Sequence, residues 1–271
     1  MNQLIIKKRG RPRKNPLQFE AEFKSEDVKL VRGNDLYFSN DLFTPIKMNS
    51  KEINTILSTE GGLMPGTNMV LVGGPGSGKS TLALDWLSDA TNNGYKCLFI
   101  SAEMDEIAYY KYCRRIPKFN NVQVLFLKNY SEQIKQTLEY VFNLGYDIIC
   151  VDSIAEVIEM YKDTYRTTES AAEFWFLNLQ DKMKKGENLN KYYTSFINIQ
   201  QVTKAGDFAG SNRLKHMTDG MMEMRRQKES DGGGTYMNFI KNRNGNVDMK
   251  FGYQLQNDSI YYGVTVNEDA E

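Results

Sequence analysis

A glycine-rich segment early in the chain has the residue types and the spacing of a phosphate-binding loop. Four residues separate Gly73 from the run Gly78-Lys79-Ser80. Glycines let backbone N–H groups turn inward around a polyphosphate, and a helix that follows directs its positive N-terminus at the same place. In such loops the lysine reaches the β- and γ-phosphates and the serine hydroxyl binds Mg²⁺. The predicted nucleotide-binding residues are Gly73, Gly74, Pro75, Gly76, Ser77, Gly78, Lys79, Ser80 and Thr81.

The flanking sequence separates this motif from an ordinary glycine-rich turn. An apolar, strand-like run at Met69–Val72 precedes the loop, and an apolar run with helical spacing begins at Leu82. A phosphate-binding loop requires this order of strand, loop and helix. The context therefore favours a nucleotide site over a turn that binds no phosphate.

Two carboxylates follow apolar runs that are typical of buried strands. Asp152 ends the run that starts at Asp147, and in nucleotide-hydrolysing loop proteins such an aspartate holds Mg²⁺, usually through water. Ser153 is a lesser candidate for the same role. Glu103 ends a second run at the same predicted edge of the sheet, where ligands of open α/β sheets bind. It is placed to orient or deprotonate an attacking water. Alternatively, it is an acid at a helix start, favoured by the macrodipole.

Two further groups are candidates for sensing or completing the site. The run Phe196–Gln201 ends in two amides, of which Gln200 or Gln201 could sense the γ-phosphate; the alternative is a solvated strand terminus. Lys241 and Arg243 are separated by one residue, so on a strand they point to the same side. They could reach a neighbouring subunit's nucleotide as cationic fingers. A solvated edge strand before the turn at Asn244 is the alternative.

The stretch that follows Gln201 could contact nucleic acid. It is rich in glycine and basic residues, and between residues 203 and 215 it carries Lys204, Phe208, Arg213 and Lys215. Cations of this kind neutralise phosphates, and an aromatic ring can stack against bases. Composition alone favours the alternative, a mobile surface loop with ordinary charges.

The first residues form a basic arm. Lys and Arg number 34 and Asp and Glu number 34, yet residues 1–14 hold six of the cations and no acid. The arm is thus +6 and the rest, with 28 cations against 34 acids, is −6. Its core, Arg9-Gly10-Arg11-Pro12, resembles the AT-hook, which lies in the narrow minor groove of A·T-rich DNA. A generic polybasic tail and a nuclear-import signal are the alternatives.

Composition and periodicity predict one large α/β domain with short appendages. The sequence has 271 residues, of which 41% are hydrophobic. Strand-like runs alternate with helical patterns, which predicts a mostly parallel sheet flanked by helices; after residue 219 strands follow one another, which predicts antiparallel strands at the C-terminal end. The predicted strands are Met69–Val72, Cys97–Ser101, Val122–Leu127, Ile148–Asp152 and Phe196–Gln200, with a helix within Glu132–Gly145. The predicted divisions are a disordered arm at 1–16, a lead-in at 17–50, a domain at 51–265 and an acidic tail at 266–271.

Other features narrow the class of protein. Neither an apolar run of about 18 residues nor a secretory leader is present, so a membrane role is not expected. Cys97, Cys113 and Cys150 lie far apart without metal-ligand spacing, as expected of reduced thiols in a cytoplasmic protein. His216 is the single histidine, which disfavours histidine-based metal or triad chemistry.

The order of these motifs resembles that of RecA-like ATPases, and most closely the ATPase core of the bacterial recombination protein RadA (Sms). Thr59–Gly66 is similar to the segment that leads into that family's nucleotide strand, and Ser101–Glu103 lies where its catalytic glutamate is found. Val202–Asp219 is similar to the run from the sensor into the DNA-facing loop. Lys241–Gly245 is similar to the RadA signature, which has Phe in place of Asn244.

The resemblance implies an ATP- and Mg²⁺-dependent motor that works as a hexameric ring or filament on DNA, in recombination, repair or replication. It implies that Glu103 is the catalytic base, that Lys241 and Arg243 act across subunits, and that Gln201 replaces the sensor histidine of RadA. The paired cysteines of RadA's zinc module and its C-terminal protease-like domain are missing from this sequence. A bacterial cell or a phage-infected host is the expected setting. The alternatives are a DnaB-type replicative helicase, a nucleotide-gated DNA-binding or regulatory protein with little turnover, and a signalling ATPase whose partner is a protein.

Overall fold

The computed structural model describes residues 28–202, 211–226, 234–247 and 249–264. Its α-helices are α1 (Lys51–Leu57), α2 (Lys79–Asn92), α3 (Glu106–Arg115), α4 (Ile134–Asn143), α5 (Ile154–Tyr165), α6 (Glu169–Lys184) and α7 (Asn212–Met217). Its strands are β1 (Asn68–Gly73), β2 (Cys97–Ser101), β3 (Gln123–Phe126), β4 (Ile148–Asp152), β5 (Ser195–Gln201), β6 (Gly220–Arg226), β7 (Thr235–Asn242), β8 (Lys250–Leu255) and β9 (Ile260–Val264).

The described strands form one sheet in the order β3-β2-β4-β5-β1-β6-β7-β8-β9. Pairing is parallel from β3 to β6 and antiparallel from β6 to β9. The prediction of a mostly parallel sheet with antiparallel strands at the C-terminal end is therefore confirmed. We call the edge where β1, β2, β4 and β5 end the carboxyl edge, and the edge where they begin the amino edge. Ligand sites of open α/β sheets lie at the carboxyl edge.

The sheet is covered on both faces, which explains why its central strands β1, β2 and β4 are largely apolar. Along β1, Met69 and Leu71 pack in one core layer while Val70 and Val72 pack in the other, since successive strand residues point to opposite faces. The first layer includes α1 and α2, with Trp86 fully buried. The second includes α4, α5 and α6. A strand buried on both faces reads as a continuous apolar run.

Helix α2, which follows the glycine-rich loop, is fixed by two buried carboxylates. Lys118 Nζ lies 2.5 Å from Asp85 Oδ1 and 3.0 Å from Asp89 Oδ1. The Tyr262 hydroxyl donates to Asp85 at 2.7 Å, and Asn49 Nδ2 donates to Asp89 at 3.0 Å. Burial raises the pKa of Asp85 although Lys118 opposes the shift. Helix α2, which begins at Lys79, is thus held by Asn49 before it, by Lys118 after α3 and by Tyr262 in β9.

The chain divides into two compact units, residues 1–38 and residues 39–271. In the first, the described residues contain one 3₁₀ turn at Gly33–Asp35 and expose large apolar side chains such as Leu30 and Tyr37. In the second, packing already includes Ile46 and Met48, both buried. The predicted arm at 1–16 and the predicted tail at 266–271 lie outside the described residues.

Among the described residues, no helix has the length and apolar character that crossing a membrane requires.

Candidate nucleotide-binding site

The loop between β1 and α2 has the backbone of an anion cradle. Gly76 and Gly78 have φ of 73° and 93°, in the left-handed region that favours glycine. Helix α2 begins at Lys79, and its N-terminus has no side-chain cap. The first N–H groups of the helix, which have no partner within it, are therefore available to an anion. A Cβ at Gly78 would lie 2.4 Å from Leu255 Cδ1, so the flexible side chain of Leu255 lies directly over this glycine.

The loop borders a cavity of about 360 Å³ at the carboxyl edge. The predicted residues that line the cavity are Pro75, Gly76, Gly78, Lys79, Ser80, Thr81, Glu103, Asp152 and Gln201. The structure thus brings the predicted phosphate, metal, base and sensor residues to one place. Four residues that were not predicted also line it: Tyr112, Arg115, Ile199 and Leu255.

Lys79 lies folded against its own loop. Its Nζ donates to the carbonyl oxygens of Gly73 and Gly74 at 2.8 and 2.9 Å. Burial lowers the pKa of this ammonium, and the negative charges of Asp152 and Glu103 oppose that shift. A buried cation between an uncapped helix N-terminus and two acids is suited to bind a polyphosphate.

Ser80 and Asp152 form an oxygen pair that fits Mg²⁺. The Ser80 hydroxyl donates to Asp152 Oδ2 at 2.6 Å, and Asp152 is buried. Burial raises the pKa of Asp152 to about 6, with the Ser80 hydrogen bond opposing the shift. Hydroxyl and carboxylate oxygens are the hard ligands that Mg²⁺ prefers. These two side chains, next to the phosphate cradle, would hold the metal.

Glu103 lies opposite the loop because its main chain is tied to the strand that ends in Asp152. The N–H groups of Ala102 and Glu103 donate to the Asp152 carbonyl oxygen at 2.7 and 3.2 Å. Lys128 Nζ donates to the Glu103 carbonyl at 2.9 Å. The Glu103 side chain is exposed and lines the cavity. Its carboxylate is therefore free of the core and faces the space where a nucleotide would bind.

Residues of α3 and β8 also line the cavity. On α3, the Arg115 guanidinium lies 5.0 Å from the Tyr112 ring and donates to Thr81 Oγ1 at 3.4 Å. On β8, Leu255 covers Gly78, and the Tyr253 hydroxyl donates to the Ser77 carbonyl oxygen at 2.8 Å. A cation, an aromatic ring and an aliphatic side chain are suited to a planar base. The local sequence did not predict a role for these residues. Leu255 reaches the loop only because strand pairing brings β8 there.

Lys241 and Arg243 lie at the amino edge. Lys241 pairs in register with Met221, which is itself in register with Val70, whereas the glycine-rich loop begins where β1 ends. Lys241 is therefore level with a point on β1 three residues before the loop begins, and neither cation lines the cavity. Arg243 Nη1 lies 3.2 Å from Asp219 Oδ1.

The predicted DNA contacts divide between described and undescribed parts of the chain. Arg213 is on α7, where Nη1 donates to the Ser170 carbonyl oxygen at 2.8 Å and the guanidinium lies 5.2 Å from the Phe174 ring. Lys215 is exposed on the same helix. Lys204, Phe208, Arg9, Gly10, Arg11 and Pro12 lie outside the described residues.

The fold and the cavity together define a class, the RecA-like P-loop ATPase domains. The chain belongs to the KaiC family of ATPases, since the family model described as "ATPase: KaiC" matches residues 46–269.

Curated relatives support the resemblance inferred from the motifs. The DNA repair protein RadA of Chlamydia muridarum is 28% identical over 226 residues, which are 80% of this chain and 45% of the relative. RadA of Listeria monocytogenes is 28% identical over 204 residues, which are 75% of this chain and 42% of the relative. The chain thus spans less than half the length of these relatives.

Solved structures confirm the fold. A KaiC-like protein of the archaeon Pyrococcus horikoshii has a TM-score of 0.59 at 16% identity, covering 80% of this chain and 99% of that one. The flagellar accessory protein FlaH of Methanocaldococcus jannaschii has a TM-score of 0.61 at 10% identity, covering 82% of this chain and 100% of that one. At these identities the likeness concerns the fold alone.

Proposed function

We propose that this protein is an ATPase of the RecA/RadA type that works as an assembly and couples hydrolysis to DNA. The observation that carries the proposal is the convergence of Lys79, Ser80, Asp152 and Glu103 on one cavity at the carboxyl edge. Each is a residue type that phosphoryl transfer to water uses, and each comes from a different strand end or from the loop.

In the proposed reaction, the loop N–H groups and Lys79 bind the β- and γ-phosphates. Ser80 and Asp152 hold Mg²⁺, which when bound neutralises charge on the phosphates. The Glu103 carboxylate orients the attacking water and accepts its proton, because it is the exposed carboxylate on the cavity wall. Gln201, at the end of β5, lines the same wall and senses the γ-phosphate. Tyr112, Arg115 and Leu255 hold the base.

Completion of the site in trans is supported by the position of Lys241 and Arg243. Both cations lie at the amino edge, and neither lines the cavity of its own chain. In a head-to-tail assembly the amino edge of one subunit faces the carboxyl edge of the next, and cations there stabilise the charge that develops in phosphoryl transfer. A hexameric ring or a filament meets this requirement.

A DNA substrate is supported by the curated relatives, whose printed name is DNA repair protein RadA. It is also supported by Arg213 and Lys215 on α7, which stands between the strand that ends in Gln201 and the start of β6. We propose that the 203–215 stretch binds single-stranded DNA and that the basic arm adds affinity for A·T-rich duplex, with a strong dependence on salt.

The test is the ATPase rate per subunit, measured with and without single-stranded DNA over a wide range of protein concentrations. We expect the rate to rise with protein concentration, because each site needs a neighbour, and to rise further with DNA. Lys79→Ala serves as the background. A rate that is independent of concentration would contradict completion in trans.

Other outcomes separate the alternatives. ATP-dependent unwinding of a forked duplex would identify a helicase of the DnaB type. ATP-dependent DNA binding without turnover, unchanged by Glu103→Gln, would identify a nucleotide-gated DNA-binding protein and overturn the motor. If DNA has no effect on either rate or binding, the DNA part of the proposal fails.

A further inference from the structure

Asp219 is the centre of a compact polar cluster at the amino edge. Its Oδ2 accepts from Lys184 Nζ at 2.5 Å and from the Asn68 N–H at 2.8 Å, and its Oδ1 lies 3.2 Å from Arg243 Nη1. Its main chain is fixed as well, since its N–H donates to the Asn68 carbonyl at 2.6 Å and its carbonyl accepts from the Arg243 N–H at 3.0 Å. One residue therefore joins the start of β1, the end of α6 and the residue after β7.

Lys241 is held beside this cluster by the end of α7. Its Nζ donates to the carbonyl oxygens of Lys215 and Thr218, at 2.6 and 2.5 Å. Carbonyl oxygens at a helix C-terminus carry partial negative charge and attract cations. Burial lowers the pKa of Lys241, and the neighbouring Arg243 cation lowers it further, while the charge of Asp219 opposes the shift.

The cluster fixes the position of Arg243 but leaves its side chain exposed to solvent. The Arg243 side chain is 60% exposed, whereas Asp219 is only 14% exposed. Three cations, those of Lys184, Lys241 and Arg243, surround one carboxylate, so the cluster carries a positive excess. An excess of this kind is stabilised by an anion from outside, and a polyphosphate provides one.

We infer that Asp219 is a positioning residue: it sets the direction of Arg243, and keeps it next to Lys241, so that both meet the nucleotide of the neighbouring subunit. This rests on the proposed function, because it assumes that the two cations act in trans. Asp219 itself touches no nucleotide. It fixes one nitrogen of the guanidinium and leaves the rest of that exposed group to the partner.

The test uses mixed assemblies in which each subunit has one defined defect. Lys79→Ala subunits cannot use nucleotide but still present Lys241 and Arg243, so they are donors. Arg243→Ala subunits have an intact loop but no arginine, so they are acceptors. We expect each variant alone to be nearly inactive and the mixture to recover ATPase activity at donor–acceptor contacts.

Asp219→Asn is then added to one partner at a time. Asparagine still accepts from the Asn68 N–H but loses the charge that holds Lys184 and Arg243. In the donor it should lower the recovered rate at least about tenfold, a part of the roughly 10³-fold that a trans arginine supplies. In the acceptor it should change the recovered rate little, since that subunit already lacks Arg243. Asp181→Asn in the donor is the matched control, because Asp181 is a carboxylate on α6 that pairs with Lys185, four residues further along the same helix.

The outcomes are distinguishable. If the mixture of Lys79→Ala and Arg243→Ala subunits recovers no activity, Arg243 does not act in trans, and that part of the proposed function is overturned. If the mixture recovers but Asp219→Asn acts equally in donor and acceptor, its role is structural and the inference is overturned. The same holds if it has no effect in the donor. Loss from the donor side alone supports positioning.

Discussion

The two edges of the sheet carry functional candidates of opposite character. At the carboxyl edge, Lys79 and Asp152 are buried, at 8% and 3% exposure, in a cavity that the chain's own loops and β8 enclose. At the amino edge, Arg243 is 60% exposed and held from behind by Asp219. The first arrangement can bind a ligand within one subunit, whereas the second leaves an exposed guanidinium open to another molecule. Binding and turnover should therefore be separable by mutation.

The largest effect is expected from Lys79→Ala, which removes the cation of the carboxyl edge. We expect nucleotide affinity to fall at least about 10²-fold and hydrolysis to fall to background, because a buried charge that contacts phosphate is lost. Titration with a fluorescent ATP analogue and a phosphate-release assay measure the two quantities. Lys135→Ala, an exposed lysine of α4, is the control. Unchanged affinity would show that the cavity is not the nucleotide site.

Arg243→Ala should remove the proposed function of the amino edge and leave the nucleotide-binding cavity of the same subunit intact. The turnover number should fall by at least about 10³-fold, because a trans arginine stabilises transition-state charge. Nucleotide affinity of the single subunit should stay as it is, which the same fluorescent titration at low protein concentration checks. Lys185→Ala, an exposed amino-edge lysine paired with Asp181, is the matched control. A parallel loss of affinity would place Arg243 in its own subunit's site.

A change of pH should affect the carboxyl edge through Asp152. Its pKa is raised by burial to about 6, so below that pH a proton must leave before the carboxylate can bind a metal. We expect the Mg²⁺-dependent part of nucleotide affinity to fall by about tenfold per unit as the pH drops below 6. Titrations with Mg²⁺ at pH values from about 5 to about 7.5, a range that includes the pKa of Asp152, measure this change in affinity.

The effect of pH on the stability of the folded state has the opposite sign to its effect on metal binding. Because the folded pKa of Asp152 exceeds the ordinary value of 3.8, this group favours the folded state at acid pH, and the benefit is lost as the pH rises through about 6. Asp152→Asn should remove both dependences while weakening metal binding. If the Mg²⁺ dependence on pH persists in that variant, another group controls it.

The smallest expected effect is that of Leu255→Ala on β8. Removing apolar cover from Gly78 should weaken nucleotide binding by about fivefold, or about 1 kcal/mol, because this side chain, which is 38% exposed, loses only part of its contacts. Assembly and the turnover number at saturation should not change. Leu189→Ala, at 70% exposure in another part of the chain, is the control. Equal effects in the two variants would mean that Leu255 does not cover the ligand.

The same contrast explains what could be predicted from the sequence. Residues of the carboxyl edge lie at the ends of buried strands, so the strand pattern and a parallel sheet suffice to bring Glu103 and Asp152 to the loop. The strand predicted at Val122–Leu127 is found at Gln123–Phe126, and the helix predicted within Glu132–Gly145 is α4. These features depend on local spacing, which a single sequence displays.

What could not be predicted depends on pairing between distant segments. Leu255 covers Gly78 because two antiparallel pairings, of β6 with β7 and of β7 with β8, carry β8 to the loop. Asp219 joins Asn68 to Arg243 because β6 and β7 pair next to β1. Arg115 meets Thr81 across two helices. No spacing rule in the sequence connects such residues, so Tyr112, Arg115, Asp219 and Leu255 were recognised only in the structure.

The contact of β8 with the loop has a consequence for how the chain matures on the ribosome. A nascent chain that has emerged as far as α7 already contains the loop, Glu103, Asp152 and Gln201. It still lacks Tyr253, which bonds to Ser77, and Leu255, which covers Gly78. We expect tight nucleotide binding only once the C-terminal hairpins have paired. Bound nucleotide would then stabilise the completed sheet relative to its partly folded precursors, because only the completed chain binds it tightly.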